Sequence, residues 1–296
     1  MNDSKAVKTI CILRLSALGD ATHVVPLIRT LQENLPDVQI TWILGVAEAK
    51  LMQGLENVEL IAFNKKSGLS GIKNLASQLS GRRFDVLLQM QLALRANLIS
   101  NIISAKRRIG YDLQRSKEGH SLFIKERIAH KHHHVLDVFG LFAEPLGFSQ
   151  TEVVWNLPVS EQDHQWAKEQ WPEGKPCLLI SPCSSHTLRN WSAERYAAVA
   201  KHAQTKGWQV VICGGRSALE REMGNAILNQ METPAIDLIG KDTLKQLLAL
   251  LARADLVLSP DSGPIQMANA MGSKVLGLYA CTVGTRSGPY SDMRYT

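Results

Sequence analysis

The feature that most constrains this chain is an alternation of short, β-branched apolar runs with stretches of helical period, sustained along most of its length. KTICILRL opens it, an apolar run typical of a strand buried on both faces of a parallel sheet. After SALGD comes HVVPLIRTLQENLP, with Val24, Val25, Ile28 and Leu31 at helical spacing and Pro36 closing the stretch. VQITWILG, VELIAF, FDVLLQM and RRIGY follow as strands, separated by helices around 47–55 and 72–79 and over LRANLISNIISA. Strand, helix, strand in this order predicts an α/β fold with a doubly wound parallel sheet. The rhythm breaks at 149–176, where Pro158, Pro172, Gly174 and Pro176 punctuate polar material around EQDHQWAKEQW, and this reads as a crossover. It restarts with PCLLISP, then WQVVICGG, AIDLIG, DLVLSP and KVLGLYA, with helices over ERYAAVAKHAQTKG, from Ala218, over TLKQLLALLARA and over PIQMANAMG. Two α/β units are expected, over 1–158 and 159–296. A length of 296 residues, 45% hydrophobic and 20% charged, suits two cores of ordinary domain size.

The net charge of +6 is uneven. Met1–Pro158 carries 19 Lys and Arg against 14 Asp and Glu, and the rest 14 against 13. A basic first half suits nucleic acid, an anionic membrane surface or a phosphorylated substrate, and charge by itself does not choose among them. The sequence has no apolar run of the roughly 18 residues that a spanning helix needs. The start MNDSKAVKTICILRL has too short an apolar stretch before Arg14 for a signal peptide, so cytoplasmic residence is expected. Cys11, Cys177, Cys183, Cys213 and Cys281 show no C-x-x-C spacing, and neither a disulfide nor a zinc site is expected. Lys131-His132-His133-His134 resembles a metal-binding tract, but it lies mid-chain just before the apolar helix VLDVFGLF, and metal binding is not expected there.

Three loops at strand ends carry the chemistry. Ser16-Ala17-Leu18-Gly19-Asp20 follows the first strand, where ligands bind in an open α/β sheet, with Asp20 and His23 at the mouth of the next helix. Asp20 there can cap the helix or accept a proton. One glycine stands where a dinucleotide fingerprint needs three, which argues against a nicotinamide-dependent oxidoreductase. The second loop, SPCSSHTLRNWS, strings Ser184, Ser185, His186 and Arg189 after another buried strand. Hydroxyls, backbone amides and a guanidinium suit a diphosphate, although a polar loop with a capped helix would read the same way. The third, Ser259-Pro260-Asp261-Ser262-Gly263-Pro264, aims amide groups from a helix start with proline in its first turn.

In ILRLSALGDATHVVPLIRTL, SPCSSHTLRNWSAERYAAV, VVICGGRSALERE and IGKDTLKQLLALLARADLVLSPDSGPIQMANAMGSKVLGLYACT, and in their order, the chain resembles the bacterial lipopolysaccharide heptosyltransferases of glycosyltransferase family 9. The resemblance spans essentially the whole sequence. It implies the GT-B fold, two Rossmann-like domains facing a central cleft, the first binding the acceptor and the second the nucleotide-sugar donor. It implies inverting transfer of heptose from ADP-heptose to a Kdo or heptose acceptor of the anionic lipopolysaccharide core, with no nucleic-acid partner and with peripheral contact at the cytoplasmic face of the inner membrane. By the same resemblance Asp20 is the catalytic base and Arg189 the basic group on the donor diphosphate. Ser184, Ser185, Asp261, Ser262 and Gly263 bind the donor, and Glu220 matches a ribose-contacting acid.

On the acceptor side the expectation names Gly19, His23, His134 and the basic Arg82, Arg83, Arg95, Lys106, Arg107 and Arg108, which could meet phosphates or carboxylates. No D-x-D occurs, so no metal and no other cofactor is expected. The sequence departs from the family at Gln266, where many relatives place a His shortly after D-[ST]-G. Relatives also end in a helix that packs back across the first domain, and this chain stops at 293–296, soon after its last clear strand. A nucleotide-sugar epimerase of the same fold and a non-catalytic nucleotide-binding protein are the alternatives. The first would act without an acceptor, and the second sits poorly with Asp20 and Arg189.

Overall fold

The computed structural model describes residues 7–131, 133–150 and 152–291. His132 of the histidine tract and the terminal 293–296 lie outside the described residues. The chain divides into two compact units, Met1–Trp155 and Asn156–Thr296.

The first unit runs β1 (Thr9–Leu13), α1 (Leu18–Asn34), β2 (Gln39–Gly45), α2 (Val46–Met52), β3 (Val58–Phe63), α3 (Gly68–Gln78), β4 (Phe84–Gln89), α4 (Leu94–Asn101), β5 (Ala105–Gly110), β6 (Glu126–Arg127) and α5 (Val135–Gly140). The strands form one sheet in the order β3-β2-β1-β4-β5-β6, every described pair parallel. β1 lies at its centre, with Leu13 opposite Ile43 of β2 and Gln89 of β4. Ile10, Cys11, Ile12 and Leu13 are fully buried, as the unbroken apolar run requires, and burying an Ile or Leu stabilises the fold by about 1.5–3 kcal/mol. On one face Leu75 and Leu79 beside α3's interior meet Ala96 and Ile99 of α4 and Ile103 in a single cluster with Leu13 and Leu87. α1 packs against α5.

The second unit runs α6 (Glu161–Lys168), β7 (Cys177–Ile180), α7 (Ala193–Thr205), β8 (Gln209–Ile212), α8 (Ala218–Leu228), β9 (Ile236–Asp237), α9 (Leu244–Arg253), β10 (Leu256–Pro260), α10 (Gly263–Ala270), β11 (Val275–Leu278) and α11 (Gly284–Ser287). Its parallel sheet has the order β11-β10-β7-β8-β9. The segment read as a crossover contains α6, which packs on α9. Arg253 fixes it there, donating to the carbonyls of Ala167 at 2.8 Å and Trp171 at 2.7 Å with its guanidinium 4.2 Å over the Trp171 ring.

Both sheets reverse direction once. In the first, the chain steps outward from β1 to β3 and then jumps to β4 on the other side of β1. In the second, it steps from β7 to β9 and jumps to β10 on the other side of β7. Each reversal leaves a crevice at the carboxyl ends of two adjacent strands, the ordinary ligand position of an open α/β sheet. The loop carrying Asp20 opens on the first crevice, and the loops carrying Arg189 and Asp261 open on the second.

Candidate active site

In the first unit β1 ends at Leu13 and the chain turns through 14–17 into α1. Ala17 stands at the N-cap position of α1, and the helix-start hydrogen bond that the sequence allowed Asp20 comes from N3. Asp20 lies inside the first turn, where its Oδ2 accepts the Ala17 N–H at 3.1 Å and meets Arg14 Nη2 at 2.6 Å. Oδ1 takes no hydrogen bond among the described residues. Arg14 is itself fixed, donating through Nη1 to the Met90 carbonyl at 2.5 Å and resting its guanidinium 5.0 Å from the centre of the Phe139 ring. Tyr111 donates to the same carbonyl at 3.2 Å. Gln91, just after β4, closes the crevice by accepting the N–H groups of Leu15 at 2.8 Å and Ser16 at 3.2 Å.

One turn beyond Asp20, His23 is buried, and its ring centre is 5.6 Å from that of His134 and 6.5 Å from Phe139. His134 caps α5 by accepting the Leu136 N–H on Nδ1 at 3.1 Å, so a neutral His134 ring keeps its proton on Nε2. Gly19 sits in the same turn, and its carbonyl accepts the Thr22 hydroxyl at 2.7 Å. Burial pushes the Asp20 carboxyl up, but Arg14, the Ala17 amide and His23 outweigh it and hold the group below its ordinary value. Burial drives His23 the other way, down to about 4, with Asp20 opposing and His134 and Arg14 reinforcing. At neutral pH the crevice therefore holds a carboxylate, a guanidinium and a neutral imidazole.

In the second unit the loop after β7 folds back on itself. The Ser184 N–H donates to Asn190 Oδ1 at 2.6 Å, and the His186 N–H donates to Ser184 Oγ at 3.3 Å. Arg189 ends a short 3-10 turn over Thr187–Arg189 and reaches the loop after β10, its Nη1 lying 3.3 Å from both the carbonyl and Oδ2 of Asp261. Nη2 and Nε of Arg189 donate to nothing among the described residues. The two loops thus meet at the crevice between β7 and β10 through one guanidinium held by two long contacts. Ser262 stands at the N-cap position of α10 and shares a hydrogen bond with Ser259 at 2.8 Å, Gly263 starts the helix, and Ser185 of the loop after β7 is exposed. At the carboxyl end of β8, Glu220 accepts the Gly215 N–H at 2.6 Å and the Ser217 hydroxyl at 2.6 Å. It builds its own loop, and a Cβ at Gly215 would come within 2.9 Å of its Oε2. Asp242, just ahead of α9, has its carboxyl raised to about 6 by burial, with Arg216 opposing and Glu220 reinforcing.

The basic residues assigned to the acceptor do not join Asp20, with one exception at the right edge. Arg82 and Arg83 immediately precede β4 and Lys106 is the second residue of β5, so all three lie at the amino edge of a parallel sheet whose carboxyl edge holds Asp20. Arg82 and Arg83 border a recess of about 860 Å³ there. Arg82 pairs with Glu59 at 2.6 Å and Lys106 with Asp85 at 2.7 Å. Arg107 grips Glu126 through two hydrogen bonds, and Arg108 donates to the carbonyls of Ser100, Ile103 and Phe123. Arg82, Lys106 and Arg107 are thus neutralised inside the unit, and Arg108 is held by backbone carbonyls. Arg95, on α4, is the exception, exposed at the carboxyl edge and donating to the Lys65 carbonyl at 3.0 Å.

Gln266, standing where relatives carry His, donates to the Ser287 carbonyl at 2.6 Å, which Tyr279 also reaches at 3.0 Å. It ties α11 to α10. Residues that the sequence reading passed over include Arg14, Gln91, Tyr111, Phe139, Asn190 and Asp242. Only Arg14 carried a local signal, a charge directly against a strand buried on both faces.

A family model described as glycosyltransferase family 9 (heptosyltransferase) matches residues 72–295. The chain is 40% identical over 291 residues to the lipopolysaccharide core heptosyltransferase OpsX of Haemophilus influenzae, covering 98% of this chain and 84% of that one. The chain belongs to glycosyltransferase family 9, the heptosyltransferases. Lipopolysaccharide heptosyltransferase 3 of Escherichia coli is a more distant relative, 25% identical over 283 residues, 89% of this chain and 80% of its own. Among solved structures, the glycosyl transferase family 9 protein of Veillonella parvula superposes with a TM-score of 0.86 at 24% identity, over 97% of this chain and 85% of that one. E. coli heptosyltransferase WaaC with ADP gives 0.78 at 19% identity, over 95% and 90%. The fold is GT-B, and the enzyme is a glycosyltransferase.

Proposed function

We propose that this glycosyltransferase moves heptose from ADP-heptose to the inner core of lipopolysaccharide in one inverting displacement, with Asp20 as base. The observation that carries the reading is the state of the Asp20 carboxylate. Oδ2 is fixed by Arg14 and the Ala17 amide, while Oδ1 makes no hydrogen bond among the described residues, in a chain 40% identical to a core heptosyltransferase. An acceptor hydroxyl gives its proton to Oδ1 as its oxygen bonds to the anomeric carbon. The bond from that carbon to the phosphate oxygen breaks on the opposite face, and ADP leaves with the electron pair. The uncommitted Nη2 and Nε of Arg189 suit that diphosphate, with amides of the Ser184 and Ser262 loops beside them. Glu220 keeps lone pairs beyond those its own loop uses, enough to accept from ribose hydroxyls.

Transfer then needs donor and acceptor held by the two units to meet. The diphosphate charge is met by a guanidinium and amides, so the reaction proceeds without a metal, in the cytoplasm against the lipid-linked acceptor. The test is a panel of ADP-, UDP- and GDP-sugars with truncated core oligosaccharides, run with and without chelator and read as product mass and anomeric configuration. The expected result is chelator-resistant transfer from ADP-heptose alone, with inversion. Donor conversion in the absence of any acceptor would support an epimerase instead.

A further inference from the structure

A buried polar network lies beside the first crevice, at the carboxyl ends of β4 and β5. Gln89, the last residue of β4, Asn97 of α4 and His120 of the short 3-10 turn His120–Leu122 are all fully buried, which such side chains tolerate only with partners. Their pairing has one consistent assignment. The Tyr111 N–H donates to His120 Nε2 at 3.1 Å, so a neutral ring carries its proton on Nδ1 and donates it to Asn97 Oδ1 at 3.0 Å. Gln89 Nε2 donates to the same oxygen at 2.5 Å, and Asn97 Nδ2 donates to the Glu118 carbonyl at 2.8 Å and the Leu92 carbonyl at 3.3 Å. Of these side-chain atoms only Gln89 Oε1 lacks a partner among the described residues. Burial, reinforced by Arg127, pushes the His120 ring down to about 4, so the assignment holds at neutral pH. The backbone is shaped around the ring: a Cβ on Gly110, the last residue of β5, would stand 2.5 Å from His120 Nε2 and 2.6 Å from the Ile124 side chain.

The network does not end in the core. Tyr111, its ring edge-on to Phe142 with centres 5.2 Å apart, donates its hydroxyl to the Met90 carbonyl at 3.2 Å, and the same carbonyl takes Arg14 Nη1 at 2.5 Å. Arg14 Nη2 in turn lies 2.6 Å from Asp20 Oδ2. Met90 directly follows Gln89, so the carbonyl that seats Arg14 is fixed from two sides, by the Gln89 side chain through Asn97 and by the Tyr111 hydroxyl. His120 joins the two sides. Burial pushes the Tyr111 phenol up to about 12, with Arg14 opposing, so at neutral pH it remains a donor and does not compete with Asp20 for protons.

We propose that His120 is a positioning residue for transfer: through Tyr111, and through Asn97 and Gln89, it fixes the Met90 carbonyl that sets Arg14 against Asp20. The proposal rests on the reading of Asp20 as base given above. His120 is fully buried and reaches no substrate itself. An apolar side chain in its place would leave the Tyr111 N–H without its acceptor and Asn97 Oδ1 without one of its two donors, and the Met90 carbonyl would lose its fixed direction. Arg14 would then hold the Asp20 carboxylate less firmly against the upward push of burial. The other titratable groups facing Asp20 are His23, with His134 behind it, and Tyr111, and their charges are the same with or without the His120 ring.

The experiment compares His120→Phe, His120→Gln and Tyr111→Phe with the wild-type chain by pH–rate profiles, ADP calorimetry, urea melts and a carboxyl-carbon NMR titration of Asp20, its signal assigned with Asp20→Asn. His120→Phe keeps a ring in the core and loses both hydrogen bonds. Its turnover should fall about threefold to tenfold, and the acid limb and the Asp20 titration should both move up by about half a unit to one unit, with ADP affinity unchanged. His120→Gln, whose Oε1 can still accept the Tyr111 N–H, should recover most of both losses. Tyr111→Phe keeps the packing on Phe142 and loses only the hydroxyl on the Met90 carbonyl, and it should move Asp20 in the same direction. It decides the question if His120→Phe fails to fold. Variants that melt earlier but leave the Asp20 titration at its wild-type value overturn the proposal, and so does a Gln variant no better than the Phe one. The titration needs no acceptor: if Asp20→Asn transfers normally the base assignment fails, while the titration still decides whether His120 sets the carboxylate.

Discussion

The two crevices occupy equivalent places in their sheets and are furnished in opposite ways. At the first, the charged groups are locked together: Asp20 and Arg14 at 2.6 Å, the guanidinium against Phe139 and on the Met90 carbonyl, and a neutral His23 behind them. At the second, Arg189 hangs on two contacts of 3.3 Å and keeps most of its donors unused. A tight pair with a single uncommitted oxygen suits a proton transfer, where direction and ionisation state decide the rate. A loosely held guanidinium among amides suits an incoming polyanion, which supplies the missing acceptors itself. The same topology is thus specialised by what its loops leave unsatisfied.

The comparison can be broken at either crevice. After the loss of Asp20 itself, the largest effect is expected from Arg189→Ala, which should cost transfer about 2–4 kcal/mol and weaken ADP binding, measured by steady-state kinetics and calorimetry. Unchanged values would return the loop to a structural role. The first crevice should also set the acid limit of the fold. Between pH 6.5, near the unfolded value of a histidine, and about 4, the folded chain refuses a proton at His23 that the unfolded chain accepts, so stability falls as pH falls. Asp20, whose pKa is lowered on folding, adds to the loss below the ordinary carboxylate value, since its stabilisation disappears as pH drops through the folded value. The His23 share is about 2–3 kcal/mol. Urea melts should show a shallower acid slope in His23→Gln, and an identical slope would contradict the buried neutral ring.

A smaller effect is expected from Arg14→Lys, which keeps a charge near Asp20 but loses the guanidinium fork and its stacking on Phe139. Transfer should fall about tenfold, with the acid limb of the pH–rate profile moving upward as the carboxylate is less strongly held. An unmoved limb would mean that Arg14 orders the loop without tuning Asp20.

Much of the fold was legible because buried parallel strands are unbroken apolar runs, as β1, β7 and β10 are, and because helices of three turns such as α9 show their period and their T-x-x-Q cap. β6, with two residues, is too short to carry a period, whereas α5 falls in the apolar helix VLDVFGLF that the sequence shows. The donor-side loops were legible as loops, since Ser184, Arg189, Asp261 and Ser262 follow buried strands. The partners of Asp20 were not, because Arg14, Met90, Gln91 and Phe139 come together only through the crossing of β1 and β4 and the packing of α5 on α1. The basic residues around β4 and β5 show a different failure. Net charge counts residues without regard to the sheet edge they occupy, yet position was readable: Arg82 and Arg83 directly precede FDVLLQM, and a residue before a parallel strand falls on the edge away from the ligands. The S-x-x-E of Ser217 and Glu220 likewise announced the capping that the structure shows.

The division of labour between the crevices is tested most directly by titrating ADP into Asp20→Asn and measuring transfer by the same preparation. Asn keeps the shape and can still accept the Ala17 amide, but it cannot take a proton. Folding and ADP affinity should match the wild type while turnover falls roughly 100-fold to 10,000-fold. Near-normal transfer by Asp20→Asn, with ADP binding intact, would contradict the assignment of the base and the reading of the first crevice built on it.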